Sequence, residues 1–435
     1  MPDNTDILTE IFNAFHPYSP LEPGDSFYVD CHAVRGNDNI LRELGWIIER
    51  SNTKTCQIYT GHRGVGKSTE LLRLRADLIQ KGFHVIYFAA DSDLDEEDAQ
   101  YTDILLACTR RILEDLKAYA NPLPLVQWLE SRWQSLKDLA LTSYKFEELK
   151  IEEQIPLFAK LTATLRTVPT TRQKIREQVD IHSVDLLKAL NEFIGEARSR
   201  LGNPKLVVIV DNLDRIAPIS RPQGGTNHDE IFLDRNNQLR GLDCHMIYTV
   251  PISLIYSNRA TQVRNHYGDC QVLPMLMVKN KAGKIDPAGI AKVEELIQQR
   301  IQTVAPELKL VPDVFDMPDT LTQMCLMSGG HMREVMQLMQ GALTQTDTLP
   351  IRAAHMRWAV GRARENYEGG VDEADWSRLA EVYKNKRVPN EDSYRKLLFN
   401  RFVLEYRYMN ELQETVRWHD VHPLVQGLEE FRKLL

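Results

Sequence analysis

The segment that most constrains the fold runs from Gly61 to Ser68 and reads GHRGVGKS. It fits the pattern G-x-x-x-x-G-K-[ST], in which a glycine-rich loop between a strand and a helix holds phosphate groups. Glycines allow the backbone angles at which consecutive N–H groups face one phosphate, and the next helix adds the positive end of its dipole. A short apolar run at 56–60 precedes the segment, and helical apolar spacing follows it through Gln80. This context predicts an α/β fold with a nucleotide-binding loop.

Within this loop, Lys67 supplies a point charge for the β and γ phosphates, and Ser68 offers a hydroxyl to Mg²⁺. The nucleotide-binding candidates are Gly61, His62, Arg63, Gly64, Val65, Gly66, Lys67, Ser68 and Thr69. The alternative is a glycine-rich turn without a ligand, which the position of the match between a strand and a helix disfavours.

A second acidic signal follows the most strand-like run of the chain, LVVIVDNLDR at 206–215. Five apolar residues place Asp211 at the carboxyl end of a strand, the edge at which parallel α/β sheets bind ligands. Asp211 is therefore the second candidate for the Mg²⁺ site, and Asp214 is the candidate that polarises the attacking water. The alternatives are a loop or capping acid for Asp211 and a structural ion pair between Asp214 and Arg215.

Apolar strands alternate with helical patterns along the first two thirds of the chain, which predicts a parallel sheet covered on both faces. The predicted strands are 56–60, 83–90, 205–210, 245–250 and 270–278. Residues 121–180 are polar, helical in period and interrupted by prolines, so we expect an all-α insertion there. From Pro287 onward the pattern is helical, except for an alternating stretch at 402–418 that predicts a hairpin after a short helix at 392–400.

Composition excludes several classes of protein. The net charge of −8 argues against a globally basic coat for nucleic acid. No apolar run approaches the ~18 residues of a membrane helix, and the acidic start MPDNTDILTE does not resemble a secretion signal. The six cysteines are scattered without a CxxC pair, which predicts free thiols in a reducing cytoplasm and no zinc site.

GHRGVGKSTELLRL together with VVIVDNLDR resembles the ATPase module of the AAA+ and STAND superfamilies, which include bacterial defence and signalling ATPases. The resemblance implies ATP and Mg²⁺ as cofactors. Asn212 stands where AAA+ motors carry a glutamate, and the later second acid is closer to the STAND and KAP pattern, so the resemblance implies a slow switch. Unlike KAP ATPases, the chain carries no membrane segments. The base-reading motif N-K-x-D of GTPases ends in glycine at 280–283, which favours ATP over GTP.

Three weaker features fit the same module. HMIYTVP places Thr249 at a strand end, where the family has its first sensor, although an ordinary threonine fits as well. SGGHMREVMQLM at 328–339 resembles the second sensor of the helical lid in initiator-type ATPases, with Arg333 in the first helical turn; the alternative is a solvated arginine. FYVDCHAVRG, with Arg35, resembles the segment that lines the base pocket; the alternative is a loop at the domain edge.

An arginine finger is harder to assign. Arg259 and Arg264 follow the first-sensor strand, where AAA+ proteins place the residue that reaches a neighbouring subunit. A plain surface charge ranks above that role for both.

These features predict a P-loop ATPase (ASCE/AAA+-like) in four parts. They are an N-terminal arm at 1–30, the α/β domain at 31–285 with its insertion at 121–180, a helical lid at 286–365 and a winged-helix-like domain at 366–435. The last part is near neutral, with 11 basic and 12 acidic residues between 371 and 435, which favours packing or protein contacts over DNA binding. The insertion is a second candidate partner surface.

The leading functional hypothesis is an ATP-dependent conformational or assembly switch with slow hydrolysis, self-association linked to nucleotide, and a separate partner or effector chain. A setting in bacterial defence or signalling rests on the resemblance alone. One alternative is a DNA-handling ATPase similar to origin-recognition or transposition regulators, and another is a nucleotide-binding scaffold that never hydrolyses ATP.

Overall fold

The computed structural model describes residues 4–36, 39–140, 151–202, 205–222 and 224–435, and their side chains except at 4–6, 133–140 and 151–156. Its central element is a parallel sheet of five strands within these ranges. The strands are β1 (Cys56–Gly61), β2 (His84–Ala89), β3 (Leu206–Asp211), β4 (His245–Val250) and β5 (Gln271–Leu273). The order is β2-β3-β4-β1-β5, so the carboxyl ends of β1, β3 and β4 meet at one edge. The predicted parallel α/β sheet is confirmed.

Helices cover both faces of the sheet and form the remainder of the fold. They are α1 (Asn4–Ala14), α2 (Trp46–Arg50), α3 (Lys67–Gln80), α4 (Tyr101–Leu116), α5 (Leu123–Ala140), α6 (Ile151–Thr167), α7 (Pro169–Ile181), α8 (Ser183–Arg200), α9 (Asn227–Asp229), α10 (Asn236–Leu239), α11 (Ala260–Tyr267), α12 (Pro287–Val304), α13 (Pro318–Met327), α14 (Met332–Leu343), α15 (Ala353–Glu368), α16 (Glu373–Asn385), α17 (Asp392–Phe399), α18 (Pro423–Gln426) and α19 (Glu429–Arg432). No described helix is both long and apolar enough to cross a bilayer.

The described residues of the all-α insertion predicted at 121–180 form α5, α6 and α7. Its apolar side chains, with those of α4 and α8, form one core against a face of the sheet. Trp128 belongs to that core and is 5% exposed, whereas the side chain of Trp133 lies outside the described residues.

The predicted hairpin is also present. Strand β6 (Val403–Met409) pairs antiparallel with β7 (Thr415–Val421), after the helices α15 to α17. Tyr406 and Trp418 stack with ring centroids 4.5 Å apart, and they pack with α3 against the second face of the parallel sheet. The hairpin therefore lies beside the helix that follows the phosphate loop.

Two sequence predictions were wrong in detail. The arm predicted for 1–30 begins with the helix α1, because Ile11 and Phe15 lie four residues apart and bury one face against the core built by α12 and α14. The strand predicted for 270–278 ends at Leu273. Pro274 has no N–H to donate, and the residues after it bond elsewhere: Met275 N–H to Glu405, Leu276 N–H to Gly330 and Met277 N–H to Val34.

Candidate functional site

The phosphate loop has the backbone that its sequence predicts. Gly61, Gly64 and Gly66 have φ angles of 150°, 85° and 110°, a region that other residues rarely enter. The loop leads directly into α3, whose first residue is Lys67, so the free N–H groups of a helix N-terminus lie at its end. The chain has the α/β fold of P-loop NTPases.

Lys67 is buried, and its ammonium group contacts three oxygen atoms of the chain. Its Nζ lies 2.8 Å from the carbonyl oxygen of Gly61, 2.9 Å from that of His62 and 2.9 Å from Asp214 Oδ2. The side chains of Lys67 and Asp214 are 4% and 5% exposed. Asp214 thus neutralises the lysine that the sequence assigns to phosphate binding, and a bound phosphate would compete with it for the same charge.

Asp211 and Ser68 supply the oxygen atoms expected of a magnesium site. Burial, together with the nearby charge of Asp214, raises the pKa of Asp211, while hydrogen bonds from Ser68, Tyr87 and the Asn212 N–H oppose that shift. A carboxylate held in this way gains from a cation beside it, and carboxylate and hydroxyl oxygens are ligands that Mg²⁺ accepts. The described residues contain no cluster of three or more acidic, histidine or cysteine side chains for a metal, so phosphate and water would complete the shell.

The turn after Asp211 involves a residue that the sequence analysis missed, Asp91. Asn212 adopts a left-handed conformation with φ of 65°, and its Nδ2 donates to Asp91 Oδ1 at 3.0 Å. Arg215 Nη1 donates to Asp91 Oδ2 at 2.7 Å, so Arg215 pairs with Asp91 and not with Asp214. The position of Asp91 in the sequence, just beyond β2, could have identified it. Ala89 at the end of β2 pairs with Asp211 at the same edge of the sheet. Asp91 lines the cavity beside the phosphate loop.

Thr249 lies on β4, as predicted, but its hydroxyl faces the backbone of the neighbouring turn. Its Oγ1 accepts from the Leu213 N–H at 3.0 Å, and the residue is completely buried. Thr249 is not among the described residues that line the cavity. Its sensor role stays a prediction, and the contact gives it a part in holding the turn between Asp211 and Asp214.

Helix α14 contacts the phosphate loop through its first turn. The Arg333 N–H donates to the Gly64 carbonyl at 3.2 Å, and His331 Nε2 lies 2.6 Å from the Arg63 carbonyl oxygen. His331 Nδ1 accepts from the Glu334 N–H, so Nε2 carries the proton and donates. A Cβ atom on Gly64 would lie 2.8 Å from the Arg333 Cβ, which shows how closely the two backbones approach.

Arg333 lines the cavity, and its guanidinium has no acidic partner within ion-pair distance in the described part of the chain. It lies 5.5 Å from the ring centroid of Tyr18, and its Nε donates to the Pro17 carbonyl at 3.4 Å. Burial, followed by the charges of Arg401, Arg215 and Arg63, lowers its pKa. The arginine side chains gathered at this end of the cavity favour the binding of a polyanion.

The cavity is about 530 Å³ and extends from the loop to a region that the sequence analysis only partly identified. Arg35 lines it and donates through Nη2 to the Val65 carbonyl at 2.9 Å, so this candidate is placed against the loop. Residues 16–22 also line it, and the Leu21 N–H donates to Thr69 Oγ1 at 3.1 Å. These N-terminal residues carry no motif, so only the fold reveals them.

His62 connects the loop to the C-terminal hairpin. Its Nε2 accepts from the Glu405 N–H at 3.0 Å, and burial lowers the pKa of His62 to about 3. Burial would raise the pKa of Glu405, but Arg407 and His419 nearby and a hydrogen bond from Tyr256 hold it at about 2. A neutral imidazole therefore joins the loop to the backbone of Glu405 on β6, whose own side chain is buried and ionised.

The two arginine-finger candidates differ in their surroundings. Arg259 Nη2 donates to Asp234 at 2.7 Å, which occupies it within the chain. The Arg264 side chain is 77% exposed, with Asp269 3.4 Å away. Arg264 is therefore the one of the two that remains accessible to another molecule.

The chain is similar to solved structures of archaeal proteins. No protein-family model and no curated protein matches the sequence. The chain is similar to a Walker-type ATPase of Pyrococcus abyssi, at 12% identity over 96% of this chain and 99% of that one, with a TM-score of 0.46. It is also similar to Cdc6p of Pyrobaculum aerophilum, at 11% identity over 97% of each chain with a TM-score of 0.41. The ORC2 protein of Aeropyrum pernix, in ADPNP–ADP complexes, shares 11% identity over 97% of this chain and 96% of that one, with a TM-score of 0.41. At these TM-scores the function proposed below rests on the site itself.

Proposed function

We propose that this chain binds ATP with Mg²⁺, hydrolyses it slowly, and uses the nucleotide to set the position of α14 against the phosphate loop. The observation that carries the proposal is the contact between the two: Arg333 N–H to the Gly64 carbonyl, with the Arg333 guanidinium in the cavity. A γ-phosphate on the loop would meet this guanidinium and add charge-assisted hydrogen bonds. ADP lacks that phosphate, so the two nucleotides would stabilise the closed arrangement unequally.

The loop residues would divide the binding work. Lys67 would exchange Asp214 for the phosphates, and the loop N–H groups and the α3 N-terminus would hold the same oxygens. Ser68 and Asp211 would hold Mg²⁺, which supplies charge neutralisation for the phosphates.

Release from Lys67 would leave the Asp214 carboxylate free to accept a hydrogen bond from the attacking water. Asp91 is a second carboxylate in the cavity, but Asn212 and Arg215 already donate to it. Asp214 would first have to be displaced from Lys67, and no glutamate directly follows Asp211 in the sequence. Both features support slow hydrolysis.

Nucleotide binding is tested by calorimetry with ATP on the wild-type chain, on Lys67→Ala and on Lys54→Ala. Lys54 is the control because it is 42% exposed and pairs with Asp243 outside the cavity. We expect ATP to bind wild type and Lys54→Ala alike and to bind Lys67→Ala at least tenfold more weakly, the equivalent of ~1.4 kcal/mol. Equal affinity in all three would overturn the proposal.

Self-association belongs to the same proposal, since the exposed Arg264 could reach the nucleotide of a second copy. The measurement is the mass in solution with ADP against a non-hydrolysable ATP analogue, for wild type and Arg264→Ala. A larger assembly with the analogue, lost in the variant, is expected. A monomer under all conditions would leave a switch within one chain.

A further inference from the structure

Arg300 on α12 is a buried cation that pairs with no carboxylate in the described part of the chain. The residue is 7% exposed and lines the nucleotide cavity. Its Nε lies 3.2 Å from Met336 Sδ, its Nη1 lies 3.4 Å from the Phe27 carbonyl oxygen, and its guanidinium carbon lies 5.0 Å from the Phe27 ring centroid. Across the described residues no acidic side chain comes within ion-pair distance of it.

Three other buried arginines of the described chain are paired with aspartate, whereas the buried Arg35 donates to the Val65 carbonyl. Arg172, Arg176 and Arg395 are each about 4% exposed, and each contacts at least one aspartate at 2.6–2.8 Å. Arg300 instead makes one long hydrogen bond and one contact to a thioether sulfur, a weak acceptor. Burial lowers the pKa of Arg300 to about 10. A guanidinium has five N–H donors, so Arg300 keeps donors that these protein contacts do not use and that a ligand in the cavity could use.

The position of Arg300 indicates which part of a ligand it meets. Arg333 contacts the phosphate loop, and Met336 follows three residues later on α14, about 4.5 Å further along the axis. Met336 is the residue that contacts Arg300. A nucleotide whose phosphates lie on the loop would therefore extend its base toward Arg300.

The surroundings of Arg300 suit a flat ring better than a second phosphate. Leu296 lies one turn earlier on the same helix, and Met332 and Met336 lie opposite on α14; all three line the cavity. Apolar side chains of this kind bind aromatic faces, while one polar group fixes orientation. Because a guanidinium donates and never accepts, it pairs with ring nitrogens or keto oxygens.

We propose that Arg300 recognises the base of the bound nucleotide by donating hydrogen bonds to an acceptor nitrogen of a purine ring. The inference rests on the proposed nucleotide binding and adds a specificity-determining residue to it. The base would supply the acceptors that Arg300 lacks, and inorganic tripolyphosphate, which has no base, would gain nothing from this residue.

The test measures the affinities of ATP and inorganic tripolyphosphate for wild type, Arg300→Met, Arg300→Lys and the exposed control Arg357→Met. Arg300→Met should weaken ATP binding by about 10- to 100-fold, the range for a hydrogen bond to a charged group, and leave tripolyphosphate binding unchanged. The ATP affinity of Arg300→Lys should fall between those of wild type and Arg300→Met, and Arg357→Met should bind both ligands as wild type does. Equal losses for both ligands would place the arginine on the phosphates, and no loss for either would remove its role; both results overturn the proposal.

Base analogues on the wild-type chain give a second test that needs no variant to fold. ATP should bind more tightly than tripolyphosphate, and at least one of 1-deaza-, 3-deaza- and 7-deaza-ATP, which each lack one ring acceptor nitrogen, should bind more weakly than ATP. If all three analogues bind as ATP does, the proposal is wrong while nucleotide binding stands. If a folded wild-type chain binds neither ATP nor tripolyphosphate, the proposed function itself fails.

Discussion

Lys67 Nζ lies 2.9 Å from Asp214 Oδ2, and both side chains are almost completely buried. The lysine that the sequence assigns to phosphate binding is thus neutralised by the acid that the sequence assigns to catalysis. Under the proposed function, phosphate would displace Asp214 from Lys67, so binding and the release of the candidate base would be one event.

Removal of Lys67 should affect stability as well as binding. Lys67→Ala leaves Asp214 buried without its cation, and breaking one side of a buried pair costs about 3 kcal/mol. The double variant Lys67→Ala with Asp214→Asn removes that charge, so it should recover much of the loss without recovering ATP binding. Urea unfolding with calorimetry separates the two effects. An equal stability for the single and double variants would contradict the ion-pair account.

Asp214→Asn should slow hydrolysis by roughly 100-fold, the usual contribution of a general base, with KM unchanged or lower. KM can fall because the variant no longer competes with phosphate for Lys67. The comparison is Asp91→Asn, which removes another of the carboxylates that line the cavity. Steady-state phosphate release measures both. If Asp91→Asn loses turnover and Asp214→Asn keeps it, Asp91 is the base.

Arg333→Ala should reduce the difference between the ATP-bound and ADP-bound states. Its guanidinium lies in the cavity, while the N–H that contacts Gly64 is kept in the variant. ADP affinity should change little, because ADP lacks the phosphate that the guanidinium would meet. Hydrogen exchange of residues 320–345 with each nucleotide measures the difference. A variant that retains the full wild-type difference would place the switch in other residues.

Gly64→Ala should separate backbone strain from displacement of α14. Gly64 and Gly82 have nearly equal φ angles of 85° and 84°, so alanine should cost about 1–2 kcal/mol at each. Only at Gly64 would the new Cβ meet Arg333, at 2.8 Å; at Gly82 nothing lies within 4 Å. We therefore expect altered exchange of α14 in Gly64→Ala alone. The same exchange pattern in Gly82→Ala would attribute the effect to strain.

The pH dependence of stability should contain a contribution from His62. Its pKa is lowered from 6.5 in the unfolded chain to about 3 by burial, so between these values the unfolded chain binds the extra proton. Stability then falls as the pH falls from about 6.5 toward 3. The slope of unfolding free energy against pH reports how many more protons the unfolded chain binds than the folded one. His62→Gln should lower that difference by about one proton between pH 4.5 and 6.5. Unfolding in urea across this window measures the slope, and an unchanged slope would show that His62 does not contribute.

Local sequence predicted the fold where the chemistry is contained in one segment. The loop at 61–68, the strand ending in Asp211 and the first turn of α14 all lie where their residues indicate. Contributions from distant segments were not predictable, because they depend on tertiary placement. Residues 16–22, Asp91 and Arg300 carry no motif, and they enter the cavity only when the sheet and helices pack around it. Thr249 shows the reverse. It lies at the motif position on the predicted strand, but its hydroxyl accepts from the backbone N–H of Leu213.

The hydrogen bond between His62 and Glu405 joins positions 343 residues apart. A ribosome adding about 5–20 residues per second would need on the order of tens of seconds to travel that distance. During that time the nascent phosphate loop would lack the hairpin that fixes it and the helix α14 that covers it. The candidate nucleotide site would therefore have all of its contacts only after the final strands emerge.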